Sequence, residues 1–242
     1  MKQLLPACLL FSLVACSPHS PEQTASTSAD PAAPERAPIQ PVATDAPAGS
    51  YTMDKAHSSL IFRVNHLGFS NYTARFKRFD GQLRFDPAAP EASSVTVTVD
   101  TTSIETDYPA PAEVDFNAEL QGAEWLNAAQ FPEMVFRSTH VELQSPDTMR
   151  IDGELTLRGV TRPVVLDATF NGGYAGHPMD PHARIGFSAR GLLRRSEFGM
   201  SIGIPAPGTT MGVGDEVEIV IETEFNGPPL AEATAQLSGT SL

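Results

Sequence analysis

Residues 153–170 read GELTLRGVTRPVVLDATF, and this stretch decides the fold. On its first arm Ile151, Gly153, Leu155 and Leu157 fall on one face, with Arg150, Asp152, Glu154, Thr156 and Arg158 on the other. Strict period-two alternation is the pattern of a half-buried strand. Beyond Gly159 and Pro163 it resumes, with Val164, Leu166, Ala168 and Phe170 against Val165, Asp167 and Thr169. Glycine admits positive φ and proline cannot donate to a ladder, so a hairpin is predicted to turn between these two residues. One face of each arm must then cover something apolar.

The same alternation recurs along the chain. Leu60, Phe62, Val64 and His66 share a face, as do Phe79, Gly81, Leu83 and Phe85, and then Val95, Val97 and Val99. Met134 to Leu143 is a less clean strand; Ile185, Phe187, Ala189 and Leu193 form another, and Val217, Ile219, Ile221 and Phe225 the last. With the hairpin this gives about eight strands separated by Gly, Pro and Asn/Asp clusters, which implies an all-β barrel or sandwich. Helical signal is confined to Asn117–Ala129, as one or two short helices with Asn117 as cap and Gly122 as interruption, and to a turn of helix over Asn71–Lys77.

The 242 residues carry a net charge of −13 with scattered basic residues, which argues against nucleic-acid binding. The two cysteines, Cys8 and Cys16, lie near the N-terminus, so neither a disulfide framework nor a cysteine zinc site is expected in the body. Lys2 and the apolar run Leu4–Ala15 read as residues 1–15 of a secretory signal too short to span a bilayer. The run ends in Leu13-Val14-Ala15-Cys16, which resembles a bacterial lipobox. An ordinary signal with a chance cysteine is the plainer alternative. The resemblance implies lipidation of Cys16, with palmitate among the chains. Ser17 in place of Asp favours the outer membrane, so the chain is expected in the envelope, facing the periplasm. Residues 16–50 are Pro/Ala/Ser/Thr-rich and read as a disordered tether, with the barrel at 51–226 and a loose tail at 227–242.

Several motifs, in order, resemble the YceI-like family of lipocalin-like, polyisoprenoid-binding bacterial proteins. They are Asp54-x-x-His57-Ser58 before the first strand, His66-Leu67-Gly68-Phe69-Ser70, Phe76-x-x-Phe79-Asp80-Gly81 and Thr102-Ser103-Ile104-x-Thr106. Phe131-Pro132-x-x-x-Phe136-x-Ser138-Thr139, the stretch from Gly153, and Arg195-Ser196-x-Phe198-Gly199 complete the set. The chain departs from the pattern at Ala74, where Gly is common, at Glu119, where His is common, and at Trp125, where Phe is usual. The resemblance implies an eight-stranded antiparallel lipocalin-like barrel holding one long amphiphile, a polyisoprenoid, quinone precursor or fatty-acid derivative, with no catalysis and no cofactor. A monomer or homodimer is expected.

Eight strands leave an interior just wide enough for side chains or one slender ligand. The expected ligand contacts are Phe62, Val64, Leu83, Phe85, Trp125, Phe136, Phe187 and Phe198; the alternative is that they form a filled core. Arg195 is placed at the mouth, facing a phosphate or carboxylate; the alternatives are a solvated side chain or a pair with Glu197 or Asp215. His66 follows the inward parity of its strand, as ligand contact or as core histidine. Asp54, His57 and Ser58 hold the side chains of a hydrolase triad but lie too close in sequence to converge, so turn formation is expected. His177-Pro178-Met179-Asp180-Pro181-His182 offers metal-ligand types but reads as a surface turn. The competing function is a stress-related interaction module, its barrel filled, that binds a protein partner through its loops.

Overall fold

The alternating segments close into one antiparallel barrel. The computed structural model describes residues 38–230. Its strands are β1 (Gly49–His66), β2 (Ser70–Phe76), β3 (Phe79–Phe85), β4 (Ser94–Asp100), β5 (Ile104–Glu105), β6 (Glu133–Leu143), β7 (Thr148–Leu157), β8 (Val160–Tyr174), β9 (His182–Arg194) and β10 (Val213–Pro229), with one helix, α1 (Phe116–Gln121). They follow one another as a meander, and β1 closes it by pairing with β10 over much of its length.

Ten segments occupy eight strand positions. β1 pairs β3 through Gly49–Thr52 and β2 through Leu60–His66, so β2 and β3 are halves of one interrupted strand. β4 and β5 are halves of the next, β4 beside β3 and β5 beside β2. The two interruptions hold each other. The Lys77 N–H donates to the Ser103 carbonyl and the Arg78 N–H to Ser103 Oγ, both at 3.0 Å. The Arg78 side chain reaches Asp100 and Thr102, each at 2.8 Å. This explains the Thr102-Ser103-Ile104 motif as a structural joint.

The opening hairpin forms with one correction. Its turn is Arg158-Gly159, at φ 53° and 73°, and Val160 already pairs Leu157. Pro163 lies inside β8 opposite Glu154. β9 joins β8 only from Leu166 onward, so Pro163 sits where β8 has no second neighbour to receive an N–H. The expected faces are the observed ones: Gly153, Leu155, Leu157, Val164, Leu166, Ala168 and Phe170 are all buried.

Other expectations change. Asn71–Lys77 is strand β2 for most of its length and not a turn of helix, because Tyr72, Ala74 and Phe76 alternate inward as it pairs β1. Asp54, His57 and Ser58 fall within β1, at an irregularity between Asp54 and Ser59, and not before it. α1 is capped by Asp115, which accepts the Ala118 N–H at 2.9 Å; Asn117 instead serves Thr106, and Gly122 ends the helix as expected. The last part of the expected tether lies against the barrel. The Val42 N–H donates to the Pro146 carbonyl at 2.8 Å, Thr44 bonds the Gly173 carbonyl at 3.3 Å, and Ala46 is buried. β10 runs past Asn226 to Pro229, where Gly227 passes under the Tyr51 ring. The signal 1–15, Cys16, the tether up to residue 37 and the tail beyond residue 230 lie outside the described residues.

Candidate functional site

The inward side chains do not fill the barrel. They wall a cavity of about 700 Å³, within the ~300–1,000 Å³ range of small-molecule sites. Its lining is overwhelmingly Phe, Leu, Ile, Val and Met. One end is bordered by Pro41, Val42 and Pro146, the other by His66, Tyr108 and Glu119. The apolar end holds an aromatic cluster. Phe85 and Phe170 stack at 5.7 Å between centroids, Phe187 meets Phe170 at 5.4 Å, and Phe225 meets Phe187 at 6.3 Å.

β1 brings Phe62, Val64 and His66 to this cavity, β3 brings Leu83 and Phe85, β6 brings Phe136 and β9 brings Phe187. Trp125, from the segment after α1, and Arg195 also line it. His66 is exposed at the rim and is not a core histidine. Phe198 does not line the cavity. It ends a short 3-10 turn, Arg195–Phe198, and is only 1% exposed, packed among core residues of the same end. Phe76, Phe170 and Phe225 also line the cavity and were not among the expected contacts, although their inward parity was readable for the last two.

Arg195 is neither solvated nor paired with Glu197 or Asp215. It is 3% exposed, and its guanidinium donates to three backbone carbonyls: Nε to Gly214 at 2.8 Å, Nη1 to Met200 at 2.9 Å and Nη2 to Val213 at 2.8 Å. It stacks over the Trp125 ring, 5.2 Å from the centroid. Asp215 instead accepts the Ser196 N–H and hydroxyl at 2.9 and 2.8 Å. Burial pulls the Arg195 pKa down, and the charge of Asp215 partly offsets this. Among the described residues no carboxylate forms an ion pair with Arg195. The lumen is thus apolar, with a buried cation held by backbone carbonyls toward one end.

Comparison with known proteins fits this geometry. The YceI-like domain matches residues 51–225. The chain belongs to the YceI-like family. It is 39% identical over 182 residues to protein YceI of Salmonella arizonae, covering 73% of this chain and 86% of that one. A crystal structure of the Campylobacter jejuni YceI protein superposes with a TM-score of 0.57 at 29% identity, over 68% of this chain and 90% of that one. A polyisoprenoid-binding domain from Saccharophagus degradans shares the fold with a TM-score of 0.53 at 14% identity, over 74% of this chain and 98% of that one.

In this YceI-like chain the Asp54-x-x-His57-Ser58 motif builds a charge network on the outside of the barrel. His57 Nδ1 lies 2.9 Å from Asp54, and Arg184 donates to Asp54 at 2.7 Å, to Glu224 at 2.8 Å and to Asp180 at 3.2 Å. The hydrogen bond to His57, and then those from Arg184 and the Ala56 N–H, hold Asp54 well below the usual carboxylate range; the same pairing raises His57. Ser58 bonds Thr223 at 3.0 Å and not His57, so the three side chains do not form a nucleophile–base–orienter relay. The His177–His182 segment is a tight turn closed by mutual His177–Asp180 backbone bonds of 2.9 Å.

Proposed function

We propose that this chain binds one long-chain amphiphile in its lumen and carries or holds it without catalysis. The observation that carries the reading is the apolar cavity along the barrel axis. Polyisoprenoids, quinone precursors and fatty-acid derivatives are the ligand classes that suit it. The YceI-like family and the likeness in fold to a polyisoprenoid-binding domain support the same class. A 15-carbon tail buried there gains on the order of 12 kcal/mol gross, at ~0.8 kcal/mol per methylene, before the costs of association. A charge-assisted hydrogen bond adds only about 1.5–3 kcal/mol. The tail therefore sets affinity, and Arg195 orients an acidic head group toward the His66 end.

In the same reading Cys16 is lipidated, and the barrel stands on the periplasmic side of the outer membrane. The lipobox-like sequence supports this. The filled-barrel interaction module is less favoured because side chains leave the lumen open.

The test places a charge in the lumen. Phe62→Glu and Phe187→Glu chains purified from a bacterial envelope should fold, as read by circular dichroism, yet yield no long-chain lipid on organic extraction where the parent yields about one per chain. Undiminished cargo in a folded variant would contradict the reading.

A further inference from the structure

Two loops at the His66 end of the barrel, the β1–β2 turn with the start of β2 and the β9–β10 connection with the start of β10, carry no charge. Residues 67–74 read LGFSNYTA and residues 199–214 read GMSIGIPAPGTTMGVG, in a chain of net charge −13. They are fastened together. The Leu67 N–H donates to the Gly212 carbonyl at 2.8 Å and His66 sits opposite Val213 in the ladder, while the Val213 N–H closes the second loop on itself through the Gly203 carbonyl at 2.8 Å. They also hold large apolar side chains in solvent: Phe69 is 83% exposed, Met211 68% and Ile202 42%. Exposed apolar groups clustered on neighbouring loops mark an interaction surface more often than scattered single ones do.

The roots of these loops, His66, Met200 and Val213, line the cavity. The exposed apolar tips are therefore continuous with the lumen opening. We infer that these two uncharged loops dock the mouth of the barrel onto a lipid bilayer with neutral head groups, so that cargo passes between leaflet and lumen without crossing water. The inference rests on the amphiphile-binding reading and adds the place where cargo enters. Phe, Met and Ile on narrow Gly/Ser/Pro loops suit insertion at the boundary between head groups and acyl chains. A protein interface would call for a broad patch, and the exposed tips of these two narrow loops are three apolar side chains, Phe69, Ile202 and Met211. The acidic body is repelled by anionic lipid, which selects a neutral surface.

The test uses the full chain with Cys8→Ser and Cys16→Ser, labelled with an environment-sensitive fluorophore at Met211→Cys or, at the other end of the barrel, at Ala88→Cys. With phosphatidylcholine vesicles the label at 211 should shift to the blue and be quenched by spin-labelled phosphatidylcholine, while the label at 88 does neither. Adding phosphatidylglycerol at low salt should weaken the response. No response at 211, equal responses at both positions, or a shift at 211 that grows with protein concentration without vesicles would each overturn the inference; the last result would assign the rim to a second copy of the chain. Phe69→Ser/Ile202→Ser/Met211→Ser should slow uptake of a fluorescent polyprenol from vesicles about tenfold. Uptake at the parent rate would also overturn it. A parent chain that refuses polyprenol delivered in detergent contradicts the amphiphile-binding reading instead, and the response of the label at 211 still decides whether the rim docks.

Discussion

Arg195 does two things that can be separated by substitution. Its three carbonyl bonds tie the end of β9 to the start of β10, and its charge faces an apolar lumen. Arg195→Leu leaves three carbonyls without a donor and should cost on the order of 3 kcal/mol in urea denaturation. Arg195→Lys keeps the charge but cannot span three acceptors, so it should be destabilised by less and still retain an acidic amphiphile. A second prediction concerns His57. Its pKa is raised above the ordinary 6.5 by Asp54, so the stability it contributes is present below 6.5 and lost as pH rises through its folded value. Asp54 is depressed from 3.8, so its share is present above 3.8 and is lost as pH falls through its folded value. The melting-temperature gap between the parent and His57→Ala should therefore be widest between about pH 4 and 6.5 and close as pH rises through the raised His57 value. A gap independent of pH would contradict the ion pair.

Among the elements, β7 shows how a small residue shapes the lumen. A Cβ at Gly153 would lie 2.3 Å from the Phe136 ring, and Phe136 lines the cavity. Gly153→Val should cost about 1–3 kcal/mol by overpacking and, by pushing Phe136 inward, reduce cargo retention. Thermal melts and extraction of the same sample check both. Elements with one apolar face were legible because burial enforces period two: β7, β8 and β10 lie where the alternation put them. Short elements were not. Seven residues such as Ser70–Phe76 suit two helical turns or one strand, and pairing with β1 decides between them. Pro163 misled because its tolerance depends on a neighbour, β9, that starts only at Leu166. The 38–48 segment reads as linker by composition, yet Val42 and Ala46 find partners that only the closed barrel assembles.

At the scale of the molecule, the barrel followed from alternation and its family from motifs spread along the chain, but the hollow lumen followed only from the family resemblance and not from the alternation. An inward Phe has the same sequence pattern in a filled barrel as in an open one; barrel radius and side-chain size together decide which results. Phe62, Phe85, Phe136 and Phe187 line the wall, whereas Phe198, beyond the end of β9, turns into the core. Arg195 was legible as important but not as carbonyl-bound, because its acceptors Met200, Val213 and Gly214 are set by loop closure. The central claim is that the lumen holds one amphiphile. Native mass spectrometry of the chain purified from a bacterial envelope tests it most directly. A single stoichiometric adduct that organic extraction identifies as a long-chain lipid is the predicted result. A bare protein mass that also refuses added polyprenol and fatty amide would contradict it.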